Sequence, residues 1–350
     1  MPAIHGQSIL LMVGLFAASA IVVWIAGTRL ALIGDEIAER FKLTRAFVGL
    51  IFLATATELP EIVTSMTAAY LGSASLVLGN MFGGVTMQTA ILAVADLLVV
   101  KYALTSWPRK PTHALLAVML MVLLSFLLMF SLLGDFPIGF NVGLGAVLIT
   151  AAYPITIGML RAFDEKDSWA PVDLPDADTL EGLRHLKSRS LERLTKRTLV
   201  LRAFGLSFVI MLAGIVLALS ADSIAEGTHL GASFVGATML AAATSMPELS
   251  TTIAAARIGA YTMAISNILG SNLIMLALIF PADMMFRQGP ILSEVSLSGQ
   301  ISLVTGIIVT GIYAAGLLIR QTPRIFNAGL DSWMVLAAYV TMLIVLYPMQ

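Results

Sequence analysis

Stretches of about twenty apolar residues, divided by short polar segments, run the whole length of this 350-residue chain. At a rise of 1.5 Å per residue, each is long enough to cross hydrocarbon as a helix. Ten spans are expected, near 8–33, 46–70, 77–99, 113–133, 137–160, 200–221, 232–256, 261–280, 299–319 and 332–349. Pro154 predicts a kink in the fifth. The first apolar run overshoots the core of a signal peptide, and the tail Met1 to Gln7 has no Lys or Arg, which argues against a cleaved leader. The pattern therefore predicts an all-α polytopic membrane protein.

One polar segment is much longer than the rest. Residues 162–199 begin acidic and Pro-containing (Asp164 to Asp178), then space Leu180, Leu183, Leu191 and Leu194 among Arg and Lys. The second part reads either as a basic amphipathic helix on the membrane surface or as a solvated linker. The expected organisation is a first half over 1–161, a linker over 162–199 and a second half over 200–350. Of the 20 Lys and Arg residues, all but Arg287 fall in the loops or helix ends on one side of this arrangement. Positive loops stay in the cytoplasm, so the linker is expected there and both termini on the other side.

Composition agrees with the periodicity. Apolar residues make up 58% and charged residues 12%, against about 45–50% and 25% in soluble domains. The net charge of −1 gives no bias toward nucleic acid, and the absence of cysteine removes disulfide and thiolate chemistry.

The chain also repeats. Displaced by 187 residues, it matches itself without a gap: 15 of the 42 positions from 47 to 88 are identical. Phe47-Val48-Gly49 meets Phe234-Val235-Gly236, Ala56-Thr57 meets Ala243-Thr244, and Pro60-Glu61 meets Pro247-Glu248. Thr64 meets Thr251, Gly72 meets Gly259, Asn80 meets Asn267 and Gly83 meets Gly270. Shared hydrophobicity does not produce registered Pro-Glu, Asn and Gly. An odd number of spans separates the copies, so they point in opposite directions. Two inverted-topology repeats of five helices, with interrupted helices meeting at the midplane, form a transporter architecture.

Three carboxylates lie deep in the spans: Glu58, Glu61 and Glu248. Each costs roughly 2.5–3.5 kcal/mol at a helix centre on insertion scales. Binding a cation, pairing or carrying a proton offsets that cost. Pro60 and Pro247 have no N–H for the carbonyls of Ala56 and Ala243, which frees an oxygen near each glutamate. Thr57, Thr244 and Ser245 add hydroxyls, and the mixture suits a hard cation. The following spans carry Gly79-Asn80-Met81-Phe82-Gly83-Gly84 and Ser266-Asn267-Ile268-Leu269-Gly270-Ser271-Asn272. Their glycines fit close helix packing, and Asn80, Asn267, Ser271 and Asn272 fit a polar ion path.

These residues resemble the sodium/calcium exchanger family of the calcium/cation antiporter superfamily. That family repeats a Gly-Thr-Ser-Leu-Pro-Glu stretch followed by Gly-Asn-x-x-Gly-Ser-Asn-x-x-Asn. The counterparts here are Ala56-Thr57-Glu58-Leu59-Pro60-Glu61 and Ala243-Thr244-Ser245-Met246-Pro247-Glu248. The resemblance implies Glu61 and Glu248 as central ligands, Thr57, Thr244, Ser245 and Ser271 as oxygen donors, and the carbonyls of Ala54 and Ala241 as sodium contacts. This chain departs at positions that bear on the site. Glu58 replaces Ser, Gly83-Gly84-Val85 replaces Gly-Ser-Asn, and Gln88 and Met275 occupy the last polar positions.

The expected function is secondary antiport by alternating access. Calcium is extruded for sodium, with no cofactor, in a prokaryotic plasma membrane. The partners are inorganic cations and the lipid bilayer, without nucleic acid. Proton coupling is the alternative, since buried carboxylates carry protons as well as sodium. An enzyme is not expected: His-Glu-x-x-His is absent, and His5, His113, His185 and His229 fall in tails, loops or span ends. A non-transporting membrane scaffold would leave the repeated carboxylates without a purpose.

Overall fold

The computed structural model describes residues 9–100, 102–108, 110–139, 142–164, 194–226, 241–320 and 322–349. The chain runs α1 (Ile9–Phe41), α2 (Arg45–Thr57), α3 (Leu59–Tyr70), α4 (Ala74–Val99) and α5 (Thr112–Leu133). A short ribbon, β1 (Pro137–Gly139) with β2 (Val142–Gly143), precedes α6 (Leu144–Asp164). The second half gives α7 (Lys196–Glu226), α8 (Ala241–Thr244), α9 (Met246–Arg257), α10 (Tyr261–Ala277), α11 (Ile279–Phe286) and α12 (Leu297–Ile319). A second ribbon, β3 (Arg324–Ile325) with β4 (Ala328–Gly329), leads into α13 (Leu330–Leu346).

Among the described residues, seven helices are long and apolar enough to cross a membrane, and the bent pair α2–α3 makes an eighth. The other two expected spans correspond to the 17-residue α13 and to α8–α9. The start of the latter, over 232–240, lies outside the described residues, as does the expected amphipathic helix through Leu180, Leu183 and Leu191. The expected fifth span starts as a helix at Leu144 rather than 137, because Pro137–Gly139 and Val142–Gly143 pair as the ribbon instead. Pro154 sits inside α6, which continues past it.

Expected breaks appear at Glu58 and Ser245, 187 residues apart. The α2–α3 pair bends by 46°. In both copies proline takes a first-turn position of the helix that restarts, where its missing N–H costs nothing. Residues Val48–Leu53 of α2 are wound as a π-helix, an irregularity frequent at functional sites. Both restarted helices end alike. Gly72 and Gly259 adopt φ of +81° and +75°, Ser73 N–H bonds Ala68 O, and Ala260 N–H bonds Ala255 O. This is a glycine-terminated cap in each copy.

Helices α4 and α10 are enclosed almost throughout, while α1, α6 and α7 present large apolar side chains such as Ile21, Ile155 and Phe204 outward, as lipid-facing helices do. Helices α1 and α7 pack against each other and cross the core at glycines. A Cβ on Gly27 would lie 1.9 Å from Ser250 Oγ on α9, and one on Gly214 would lie 2.5 Å from Pro60 Cγ on α3. Each thus crosses a helix of the other half.

Two buried aspartates bind the halves together. Asp96, near the end of α4, accepts from Leu104 N–H (2.8 Å), Gly329 N–H (2.8 Å) and Ser332 Oγ (2.7 Å). Asp283, in α11, accepts from Ile291 N–H and Gly143 N–H, both at 2.7 Å. The aspartates are 187 apart, and so are Leu104 and Ile291. Gly143 and Gly329 precede α6 and α13, so the last helix of each half is pinned to the other. Accordingly α6 packs on α10 and α11, and α13 packs on α4.

Candidate cation-binding site

The two helix breaks place their polar residues against α4 and α10. Glu58, Glu61, Glu248, Thr57, Thr244, Gln88, Asn267, Ser271 and Asn272 are fully buried, and Asn80 and Ser245 nearly so. Glu61 interacts electrostatically with Glu248 and Glu58, and Glu58 with Glu248. The hydroxyls cross over: Thr57 lies beside Glu248, and Thr244 beside Glu61. Ser271 lies beside both Glu58 and Glu248.

Among the described residues, no hydrogen bond of normal geometry reaches either carboxylate oxygen of Glu61 or Glu248, Glu58 Oε2, Ser245 Oγ, Ser271 Oγ, Gln88 Oε1, Asn267 Oδ1 or Asn272 Oδ1. A buried acceptor without a donor costs about 1–3 kcal/mol, and such groups are rare. Their gathering at one depth describes an environment completed by positive charge.

Each asparagine is held by its nitrogen. Asn80 Nδ2 donates to Ser65 Oγ at 3.3 Å, and Asn267 Nδ2 donates to Thr251 and Thr252 Oγ1 at 3.0 and 3.4 Å. Ser65 and Thr252 are themselves 187 apart. Asn80 Oδ1 accepts from Thr244 at 3.4 Å, and Asn272 Nδ2 donates to Thr89 at 3.2 Å. Sequence reasoning missed Ser65, Thr89, Thr251 and Thr252 as partners, although Thr64 and Thr251 had been placed in register.

The carbonyls of Ala54 and Ala241 are already engaged. Ala54 O accepts from Glu58 N–H (3.0 Å) and Thr57 Oγ1 (3.3 Å), and Ala241 O from Ser245 N–H (2.9 Å) and Thr244 Oγ1 (3.3 Å). Glu58, Glu61 and Glu248 differ in their surroundings. They are within electrostatic reach, but among the described residues no three His, Cys, Asp or Glu side chains gather as one metal-holding group. Glu58 is instead drawn toward Gln88, whose Nε2 donates to Glu58 Oε1 at 2.9 Å and faces Met275 Sδ at 3.7 Å. His113 is the second residue of α5, at a span end as expected. It is buried and its Nε2 pairs with Ser266 Oγ at 2.8 Å, one residue before Asn267.

Paired broken helices with oxygen-rich breaks, inside an apolar bundle, define an inverted-repeat membrane transporter. Comparison with solved structures agrees on the fold. The sodium-calcium exchanger NCX_Mj soaked with 10 mM sodium and no calcium is 17% identical, with a TM-score of 0.65, covering 95% of this chain and 98% of that one. The same exchanger soaked with sodium and strontium is 16% identical with a TM-score of 0.66 over the same shares. Comparison with the curated proteins finds no match. The family described as sodium/calcium exchanger protein matches residues 11–159 and 198–348. The chain belongs to that family, a family of transporters rather than enzymes, and sodium/calcium antiport is the function that membership supports.

Proposed function

We propose that this chain moves calcium against sodium by exposing the Glu61/Glu248 site alternately to the two sides of the membrane. The observation that carries the assignment is the set of buried, donor-less oxygens around these two glutamates. Together they supply two negative charges, which match one divalent cation. Thr57, Thr244, Ser245, Asn80, Asn267, Ser271 and Asn272 complete the oxygen lining, as hard cations require. With both lone pairs taken in this conformation, the carbonyls of Ala54 and Ala241 become sodium contacts when the adjoining N–H and hydroxyl bonds rearrange.

The two halves, about 1–161 and 200–350, act as inverted repeats joined by a cytoplasmic linker, and the two separately matched stretches support that division. Both termini lie outside the cytoplasm, in a prokaryotic plasma membrane. The distribution of Lys and Arg supports this orientation. A single cysteine near residue 175, in a chain with none of its own, should react with an impermeant reagent only from the cytoplasmic side. Reaction from outside would invert the topology.

The activity is tested in proteoliposomes. A sodium gradient should drive calcium uptake, and a proton gradient of equal size without sodium should not. Calcium flux that follows pH and ignores sodium would replace sodium by proton coupling.

A further inference from the structure

Applied to the site residues that separate the halves, the 187-residue register gives an unequal pair of environments. On one side of the repeat axis, Glu58 meets Gln88 on α4 and Ser271 on α10. Asn272 adjoins Ser271 and bonds Thr89, the neighbour of Gln88. The register mates of Glu58, Gln88, Ser271 and Asn272 are Ser245, Met275, Gly84 and Val85. One environment therefore holds a carboxylate, two amides and a hydroxyl; the other holds a hydroxyl, a thioether, a glycine and a valine.

The two also differ in space. Among the described residues, Glu58 Oε2, Gln88 Oε1, Ser271 Oγ and Asn272 Oδ1 are all buried and have no hydrogen bond of normal geometry, with the Ser271 hydroxyl beside Glu58. In the mate, Met275 lies over Gly84, so that a Cβ built there would meet Met275 Cε at 2.6 Å and Sδ at 3.0 Å. The methionine fills the place that a polar side chain would line. A thioether is a soft, weak ligand and does not replace oxygen for a hard cation.

We infer that Glu58, Gln88, Ser271 and Asn272 form a monovalent-cation subsite beside the divalent site, while its mate is plugged by Met275, so that the exchanger loads its sodium-sized ions asymmetrically. The charge fits. One carboxylate with neutral oxygens balances a single positive charge, and Glu61 with Glu248 balances two. Gln88 holds Glu58 through its amide nitrogen and offers Oε1 to the ion, so a sodium-sized cation has two oxygens from one pair of side chains.

This inference rests on the proposed exchange activity, and its test is separable from it. Calcium flux in proteoliposomes is measured over a range of sodium and of calcium concentrations in the full-length wild type, Glu58→Ser and Met275→Gln. Glu58→Ser makes the two environments alike at that position. It should raise the sodium concentration for half-maximal flux by at least about tenfold and lower the Hill coefficient for sodium by about one, with calcium half-saturation shifting several times less. Met275→Gln should act oppositely, lowering half-maximal sodium or raising the Hill coefficient. Equal shifts for sodium and calcium in Glu58→Ser would assign Glu58 to the divalent site and overturn the inference, as would no shift in either. Where Glu58→Ser fails to elute as a folded protein, Gln88→Met, which carries the plug to the other side, is read by the same criteria. A wild type with no sodium-dependent flux is a different result, and refutes the exchange activity itself.

Discussion

The two helix breaks share a backbone and differ in side chains. Both stop one residue after a threonine, restart through a first-turn proline and present a glutamate next. Both have an asparagine tied to a hydroxyl of the restarted helix. Yet one has Glu58 at the break and a glutamine facing it, and the other has Ser245 and a methionine. Backbone geometry is kept where both halves need it for the same motion. Under the proposed exchange, side chains diverge where each half meets a different share of the cargo. The same contrast holds at the periphery: Asp96 takes three hydrogen bonds and Asp283 two, from equivalent places.

The comparison is open to direct attack. The largest effect is expected where the halves agree. Glu61→Gln and Glu248→Gln should each reduce calcium flux by about two orders of magnitude or more, as losing one charge of a buried set costs roughly 3–5 kcal/mol, while both variants still insert. Near-normal flux in either folded variant would dismiss the site.

Next are the aspartates. Asp96→Asn should lower unfolding stability by about 2–3 kcal/mol, since bonds to a charged acceptor are worth roughly 1.5–3 kcal/mol. Asp283→Asn should cost less, having one fewer donor to disappoint. Thermal melting in detergent reads the order, and a reversed order would break the proposed equivalence.

The crossing glycines come third. Gly214→Ala should destabilise by about 1–3 kcal/mol through overpacking, because the rigid Pro60 ring cannot turn aside. Gly27→Ala should cost less, because the Ser250 hydroxyl it meets can rotate away. Equal melting temperatures for the two would show that the crossings have slack. The smallest effect is expected from the asparagines: Asn267→Ala, which loses bonds of 3.0 and 3.4 Å, should lower flux by about fivefold, and Asn80→Ala, whose two bonds are longer at 3.3 and 3.4 Å, by less.

Much of this was legible in sequence. Membrane helices follow from apolar runs, and the breaks and carboxylates from a repeat carrying Pro-Glu. What could not be read had its cause far along the chain. The expected fifth span reaches back to 137 because Ile138, Phe140 and Val142 adjoin an apolar run, although Pro137, Gly139, Asn141 and Gly143 are turn-forming residues. Asp96 resembled a lone acid at a helix end, since its partners Gly329 and Ser332 lie 233 and 236 residues away. A signal did exist. The 187-residue register extends beyond 47–88 to Ala26-Gly27 with Ala213-Gly214 and to Ala95-Asp96 with Ala282-Asp283. At the site, composition revealed that Glu58 was present but not that Gln88 would hold it, because that pairing depends on how α2, α3 and α4 meet.

The crossed aspartates also impose an order on synthesis. When the ribosome has completed α6, the Gly143 N–H of the preceding ribbon has no carboxylate to meet, because Asp283 lies 140 residues beyond Gly143 in the chain. Asp96 waits longer still, for Gly329. Until their partners are made, Asp96 has only its local donor, Leu104 N–H, and Gly143 N–H lacks its carboxylate. Synthesis of Gly329 and Ser332 closes the second clasp, so the last helix of each half settles against the other half only after most of the second half has been made.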